Sequence, residues 1–305
     1  FQAPRAAEIA PMSERPLLYL EPIGGIAGDM FLAAAIDLGV SPQELASALS
    51  GITLSPWRFA LTRAVRHALT GTHLDVKVDA GGPPEQSLGL SEIRARISAA
   101  HSMPKRARER ALHVFQLMGA AEAKIHDVPL ENVHFHEVGA VDSVVDVAGA
   151  CVVLELLGDP EVFAAPPPLG SGRIQAAHGS IPIPAPATLE ILREVPVRFE
   201  GVGELVTPTG AALLKAFATF GAPPQMKVEK GGYGVGTRDL ADRPNVLRAS
   251  YGRRAPTAER SAGAAGQEEV CVVEANLDDC SPQLLGALLE KFLELGALDA
   301  CILPA

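Results

Sequence analysis

The chain of 305 residues is poor in cysteine, in aromatic side chains and in positive charge, and it has no long apolar run. Its four cysteines, Cys151, Cys271, Cys280 and Cys301, form no CxxC pair. That excludes the usual spacing of a thiolate zinc site and leaves reduced, mostly buried thiols as the expectation. Aromatics make up 5% of the residues, too few for a surface built on base stacking. With 36 acidic against 26 basic side chains the formal charge is −10, the wrong sign for a general nucleic-acid or membrane-surface binder. No stretch approaches the roughly 20 apolar residues of a bilayer span. No charged-then-apolar leader opens the sequence, so a cytoplasmic protein with no nucleic-acid and no membrane partner is expected.

What is present is 48% hydrophobic, enough for one large core or two ordinary ones. Residues 1–15 lack periodicity and read as a disordered extension or a remnant of expression. "LLYLEP" reads as a buried strand, and "MFLAAAIDLG" as an apolar helix stopped by Gly39. "SPQELASAL" is a helix with Ser41 as its cap and Pro42 in its first turn. Residues 57–79 alternate as two or three strands, and helices follow near 91–100, 104–125 and 141–157, the last apolar on all sides. Residues 164–187 are too rich in proline and glycine for a long helix. A helix at 186–194, a short strand, a helix after "TPTG" and strands within 231–249 complete this part. The expected class is α+β: a large domain over 16–252, a linker over 253–269, and over 270–305 the opening β-α-β of a ferredoxin-like domain, incomplete as a sheet.

The densest chemistry lies in "HFHEVGAVDSVVD". On an extended backbone His134 and His136 share a face with Phe135 opposite, and two imidazoles beside Glu137 suit a borderline divalent metal such as nickel or zinc. Asp142 and Asp146, four apart, share a helix face; Asp142 alone could equally be a cap. An acid inside so apolar a helix as that of Asp146 needs a partner. In "EPIGGIAGDM" the glycines Gly24, Gly25 and Gly28 could cradle a phosphate at a helix start, with Asp29 a cap or a metal ligand. His178 follows Arg173 in a proline-stiffened loop; Thr207 and Thr209 open a helix as cap or phosphate contact; Arg238, Arg243 and Arg248 lie among glycines. Asp278 and Asp279 precede a further capped helix, as cation ligands or as caps.

In order along the chain, "YLEPIGGIAGDMFLAAAIDLGV", "HFHEVGAVDSVVDVAGA", "LGSGRIQAAHGSIPIPAPATLEIL", "ELVTPTGAALL", "GYGVGTRDLADRPNVLR" and "NLDDCSPQLLG" resemble the LarC family, the nickel insertion proteins of lactate racemase maturation. The resemblance implies a cyclometallase that inserts Ni²⁺ into pyridinium-3,5-bisthiocarboxylic acid mononucleotide. It further implies CTP with Mn²⁺ or Mg²⁺, homo-oligomers formed through the C-terminal domain, and a lactate racemase-type apoenzyme as recipient of the cofactor. On that basis His134, His136 and Glu137, with Asp142 or Asp29, are the expected nickel ligands, and Glu137 or His178 the expected proton acceptor. The turn at Gly24, Gly25 and Gly28, with Thr207, Thr209 and Arg238, would meet the nucleotide. A non-catalytic nickel carrier, or a metal-dependent hydrolase of a phosphorylated small molecule, would use the same residues.

Overall fold

A computed structural model describes residues 15–79, 88–135, 140–176, 179–255 and 281–302. Contacts divide the chain into a unit ending at Ala258 and a second beginning at Glu259.

The first unit is built on β1 (Leu17–Pro22), whose leucines face inward on both sides. Burial on both faces is what an almost wholly apolar strand requires. β1 pairs in parallel with β4 (Glu161–Ala164) and antiparallel with β9 (Val246–Arg254). A hairpin of β2 (Trp57–Arg66) and β3 (Leu69–Val78) joins β8 (Met226–Val235) in parallel through Thr72 and Gly234. With β7 (Ala218–Phe220) the order is β2-β3-β8-β9-β1-β4-β7, a mixed sheet. The class is α+β.

α1 (Gly28–Asp37) lies against β3, β8 and β9. The approach is close: a side chain at Gly234 would sit 1.9 Å from the Met30 carbonyl oxygen. Gly232 and Gly234 of "GGYGVG" thus serve helix-on-sheet packing. α2 (Pro42–Leu49) is capped by Ser41, whose Oγ accepts from the Glu44 amide at 3.2 Å. α3 (Leu90–Ala99) and α4 (Lys105–His126) follow the hairpin. α5 (Val141–Leu156) runs through the core against α1, α2, α4 and α7 (Pro208–Phe217). α4 uses its basic face locally, Arg106 and Arg110 holding Asp159 at the end of the α5 loop.

The Pro/Gly-rich stretch forms a separate two-stranded hairpin, β5 (Gly172–Ala176) and β6 (Gly179–Ile183). The helix expected to reach 194 ends at Ile191 as α6 (Pro186–Ile191). Glu194 turns into the left-handed region there, at φ 65°. The short strand expected next amounts to one isolated bridge between Pro168 and Arg198.

In the second unit, α8 (Pro282–Glu294) starts on Ser281, which accepts from the Leu284 amide. Residues 298–302, the described part of the second strand expected of the β-α-β, are not in a strand. Cys151 is buried and Cys301 exposed. No helix among the described residues is long and apolar enough to cross a membrane. His136, Glu137, His178, Asp278, Asp279, residues 1–14 and most of the expected linker lie outside the described residues.

Candidate metal-handling site at the start of two helices

β1 delivers the chain through Gly24 and Gly25 into α1, and α1 begins beside the first turns of α5. Neither helix has a capping side chain; Ala27 and Ala140 occupy the cap positions. Each instead carries an aspartate one residue into the helix that takes the next amide. Asp29 Oδ1 accepts from Met30 N–H at 2.8 Å, and Asp142 Oδ1 from Ser143 N–H at 2.6 Å. Asp146, one turn further along α5, accepts from the Asp29 amide. It lies so close to Gly28 that an added methyl group would meet its Cβ at 2.5 Å. Asp146 Oδ1 is sealed from solvent and has no hydrogen-bond partner among the described residues.

These carboxylates perturb one another. Burial, then the charges of Asp29 and Asp142, push Asp146 well above the ordinary carboxylate value, against the pull of the Asp29 amide. Asp29 is also raised, first by burial and further by Asp75 and Asp142; the Met30 amide and His73 oppose the shift. A second group thus reaches Asp29 from β3. His73 Nδ1 lies 2.8 Å from the Val235 carbonyl oxygen and its Nε2 3.6 Å from Asp75 Oδ1.

The three glycines have packing roles. Gly25 takes φ 126° with Leu205 against its α-carbon, Gly24 abuts Pro244 and Asn245, and Gly28 abuts Asp146. The Gly24 amide is spent on Val246. The first amides of α1 are answered by Asp29 and Asp146. Thr207 caps α7, accepting from the Gly210 amide at 3.2 Å, and Thr209 is buried at 6% exposure. Of the three arginines, Arg243 pairs with Glu200 and Asp242, and Arg248 grips Glu21 with two nitrogens. Arg238 is exposed over Gly203 and has no ion pair among the described residues.

Comparison with known proteins decides the family. The model of the family described as "Nickel insertion protein" matches residues 18–305. A Myxococcus xanthus protein, provisionally named a nickel insertion protein, is 62% identical over 291 residues, covering 95% of this chain and 72% of that relative. The chain belongs to the nickel insertion protein family. Relatives with the same provisional name from Thermomicrobium roseum and Geotalea daltonii are 44% and 41% identical over 292 residues. Each covers 94% of this chain, and the chain covers 69% and 72% of them. No solved structure matches.

For a nickel insertion protein the metal is cargo, to be held and released. Among the described residues, no three His, Cys, Asp or Glu side chains are gathered as a metal-holding group. Asp29, Asp142 and Asp146 are brought within mutual electrostatic reach. His134 is exposed on the strand-like segment bridged to Gly89, with Phe135 buried against Phe115 at 6.3 Å. That is the alternation expected of the H-x-H segment at its first two positions. Four residues, 136–139, connect this segment to Ala140 and hence to Asp142. Sequence reasoning missed His73 and Asp75. Their signal was an H-x-D pair in an alternating strand, the same one-face spacing as H-x-H.

Proposed function

We propose that this chain inserts Ni²⁺ into pyridinium-3,5-bisthiocarboxylic acid mononucleotide, acting as a CTP-dependent cyclometallase whose product serves a lactate racemase-type apoenzyme. Mn²⁺ or Mg²⁺ accompanies CTP in this reading, the setting is cytoplasmic, and the C-terminal unit assembles homo-oligomers. Family membership supports the metal-insertion role. The observation that carries the site is the buried Asp146 oxygen, without a partner among the described residues, beside Asp29 and Asp142 at the start of α5. Negative potential without a cation is costly inside a protein and is offset when a divalent ion arrives.

His134, His136 and Glu137, with Asp142 or Asp29, are the ligands we assign, and the substrate's sulfur atoms complete the coordination of a borderline metal. Forming the nickel–carbon bond breaks a ring C–H bond; its electron pair goes to nickel and its proton to a base, Glu137 or His178 in this assignment. Arg238, exposed and free of ion pairs among the described residues, is the cation suited to the mononucleotide phosphate.

Calorimetric Ni²⁺ titration of the wild-type chain beside His134→Ala/His136→Ala tests the ligand assignment. CTP-dependent absorbance change with the dithiocarboxylated mononucleotide tests turnover. Loss of tight Ni²⁺ binding in the double variant, together with turnover by the wild type, is the expected result. Nickel binding without CTP-dependent turnover would make this chain a carrier; equal binding by both proteins would remove nickel from His134 and His136.

A further inference from the structure

His73 and Asp75 have no part in the assignments above, although both face Asp29 electrostatically. We propose that His73 Nε2 and Asp75 Oδ1 form a separate contact for a borderline divalent cation, Ni²⁺ in this family, next to the carboxylates at the start of α1 and α5. The inference deepens the nickel-handling reading and rests on it.

The local structure prepares the imidazole for a metal. Alternation along β3 puts His73, Asp75 and Lys77 on one face. The Val235 carbonyl can only accept, so the ring nitrogen 2.8 Å away carries the hydrogen, and in the neutral imidazole the lone pair then lies on Nε2. Metal-ligating histidines are commonly anchored in this way, one nitrogen on a backbone carbonyl and the other on the ion.

Spacing points the same way. The 3.6 Å between Nε2 and Asp75 Oδ1 is too long for a hydrogen bond. Two ligand atoms on one tetrahedral ion, each about 2.1 Å from it, stand roughly 3.4 Å apart. Lys77 occupies the other oxygen, Asp75 Oδ2, at 3.0 Å and leaves Oδ1 turned to the ring.

Access and chemistry fit a delivery role. The His73 side chain is 15% exposed and that of Asp75 40%, so one side of the pair is open to an arriving hydrated ion. Imidazole selects nickel over magnesium or calcium. With two protein ligands the remaining positions fall to water or to substrate sulfur. A loosely held ion suits a metal that must be passed on, and Asp29 is the residue that senses both groups.

The test is Ni²⁺ calorimetry on the full 305-residue chain, comparing wild type, His73→Gln, Asp75→Asn and His134→Ala/His136→Ala, with circular dichroism as the folding control. Each β3 variant is expected to delete one binding event or weaken it by at least about tenfold, while the histidine double variant removes a different event. Wild-type stoichiometry and affinity in both β3 variants would overturn the proposal. If His73→Gln fails to fold for want of its Val235 contact, Asp75→Asn decides alone. Loss confined to the double variant leaves the nickel ligands of the proposed function standing and removes this contact. Loss confined to the β3 variants does the reverse, and no loss anywhere removes both.

Discussion

At the residue scale, the site turns on how little room Asp146 is given. Gly28 is the only residue type that lets the carboxylate lie against α1, since a Cβ there would sit 2.7 Å from Asp146 Oδ2 and nearer still to its Cβ. Gly28→Ala is expected to lower stability by about 1–3 kcal/mol through overpacking, read as a fall in the urea midpoint at unchanged slope. The opposite sign is expected of Asp146→Asn. The amide keeps the shape and still accepts from the Asp29 N–H, while the repulsion from Asp29 and Asp142 disappears. Near neutral pH the variant should be more stable by about 1 kcal/mol and should lose nickel transfer. A variant that unfolds more easily than wild type would show that the charge itself holds the fold. The sequence showed Asp142 and Asp146 on one helix face and a need for a partner at Asp146, and nothing more of this site. Its other neighbours, Gly28 and Asp29, come from a turn more than a hundred positions earlier.

At the element scale, what the sequence predicted well is what is decided locally. Ser41, Thr207 and Ser281 each accept from an amide three residues on, and the helices they open were readable from those signals. The order of strands was not readable. β3 meets β8 through a single registered pair, and that contact brings His73 and Asp75 to Asp29; propensity and periodicity carry no information about it. The far end of α5 shows another long-range device. Asp159 gathers Arg15, Arg106 and Arg110, tying α4 and the approach to β1 to the α5 loop. Burial alone would raise the Asp159 carboxyl; hydrogen bonds from Arg106 and Arg110, with the charges of Arg110 and Arg15, hold it below its ordinary 3.8. A carboxylate lowered by folding contributes stability above its unfolded value and loses it as pH falls through the folded one. Asp159→Asn is therefore expected to cost about 1–2 kcal/mol near pH 6, a modest figure because the arginines reach solvent. The gap between wild type and variant should close as pH drops below about 4. Urea midpoints measured across that range check the sign, and a gap that widens in acid would refute it.

At the scale of the whole molecule, charge sets a problem that one arginine is placed to solve. A protein of formal charge −10 would meet the phosphorylated, doubly thiocarboxylated substrate proposed above with long-range repulsion. Most arginines near the sheet cannot relieve this. Arg248 is committed to Glu21, Arg243 to Glu200 and Asp242, Arg63 to Asp37 and Arg254 to Glu161. Arg238 has no such commitment among the described residues, and its backbone carbonyl is already braced by Asn245 and Arg66. The sequence set three arginines side by side and could not rank them, because their partners come from β1 and from the loop around Glu200. Arg238→Ala should leave the unfolding midpoint unchanged and weaken binding of the mononucleotide by about tenfold or more, the scale of a lost charge-assisted hydrogen bond. Arg248→Ala should do the reverse, destabilising the sheet by stranding Glu21 while sparing affinity. Calorimetric affinity and thermal midpoint, measured on both variants, separate the two roles. If Arg238→Ala binds as wild type does, the phosphate is held elsewhere, and the anion-binding duty leaves this loop altogether.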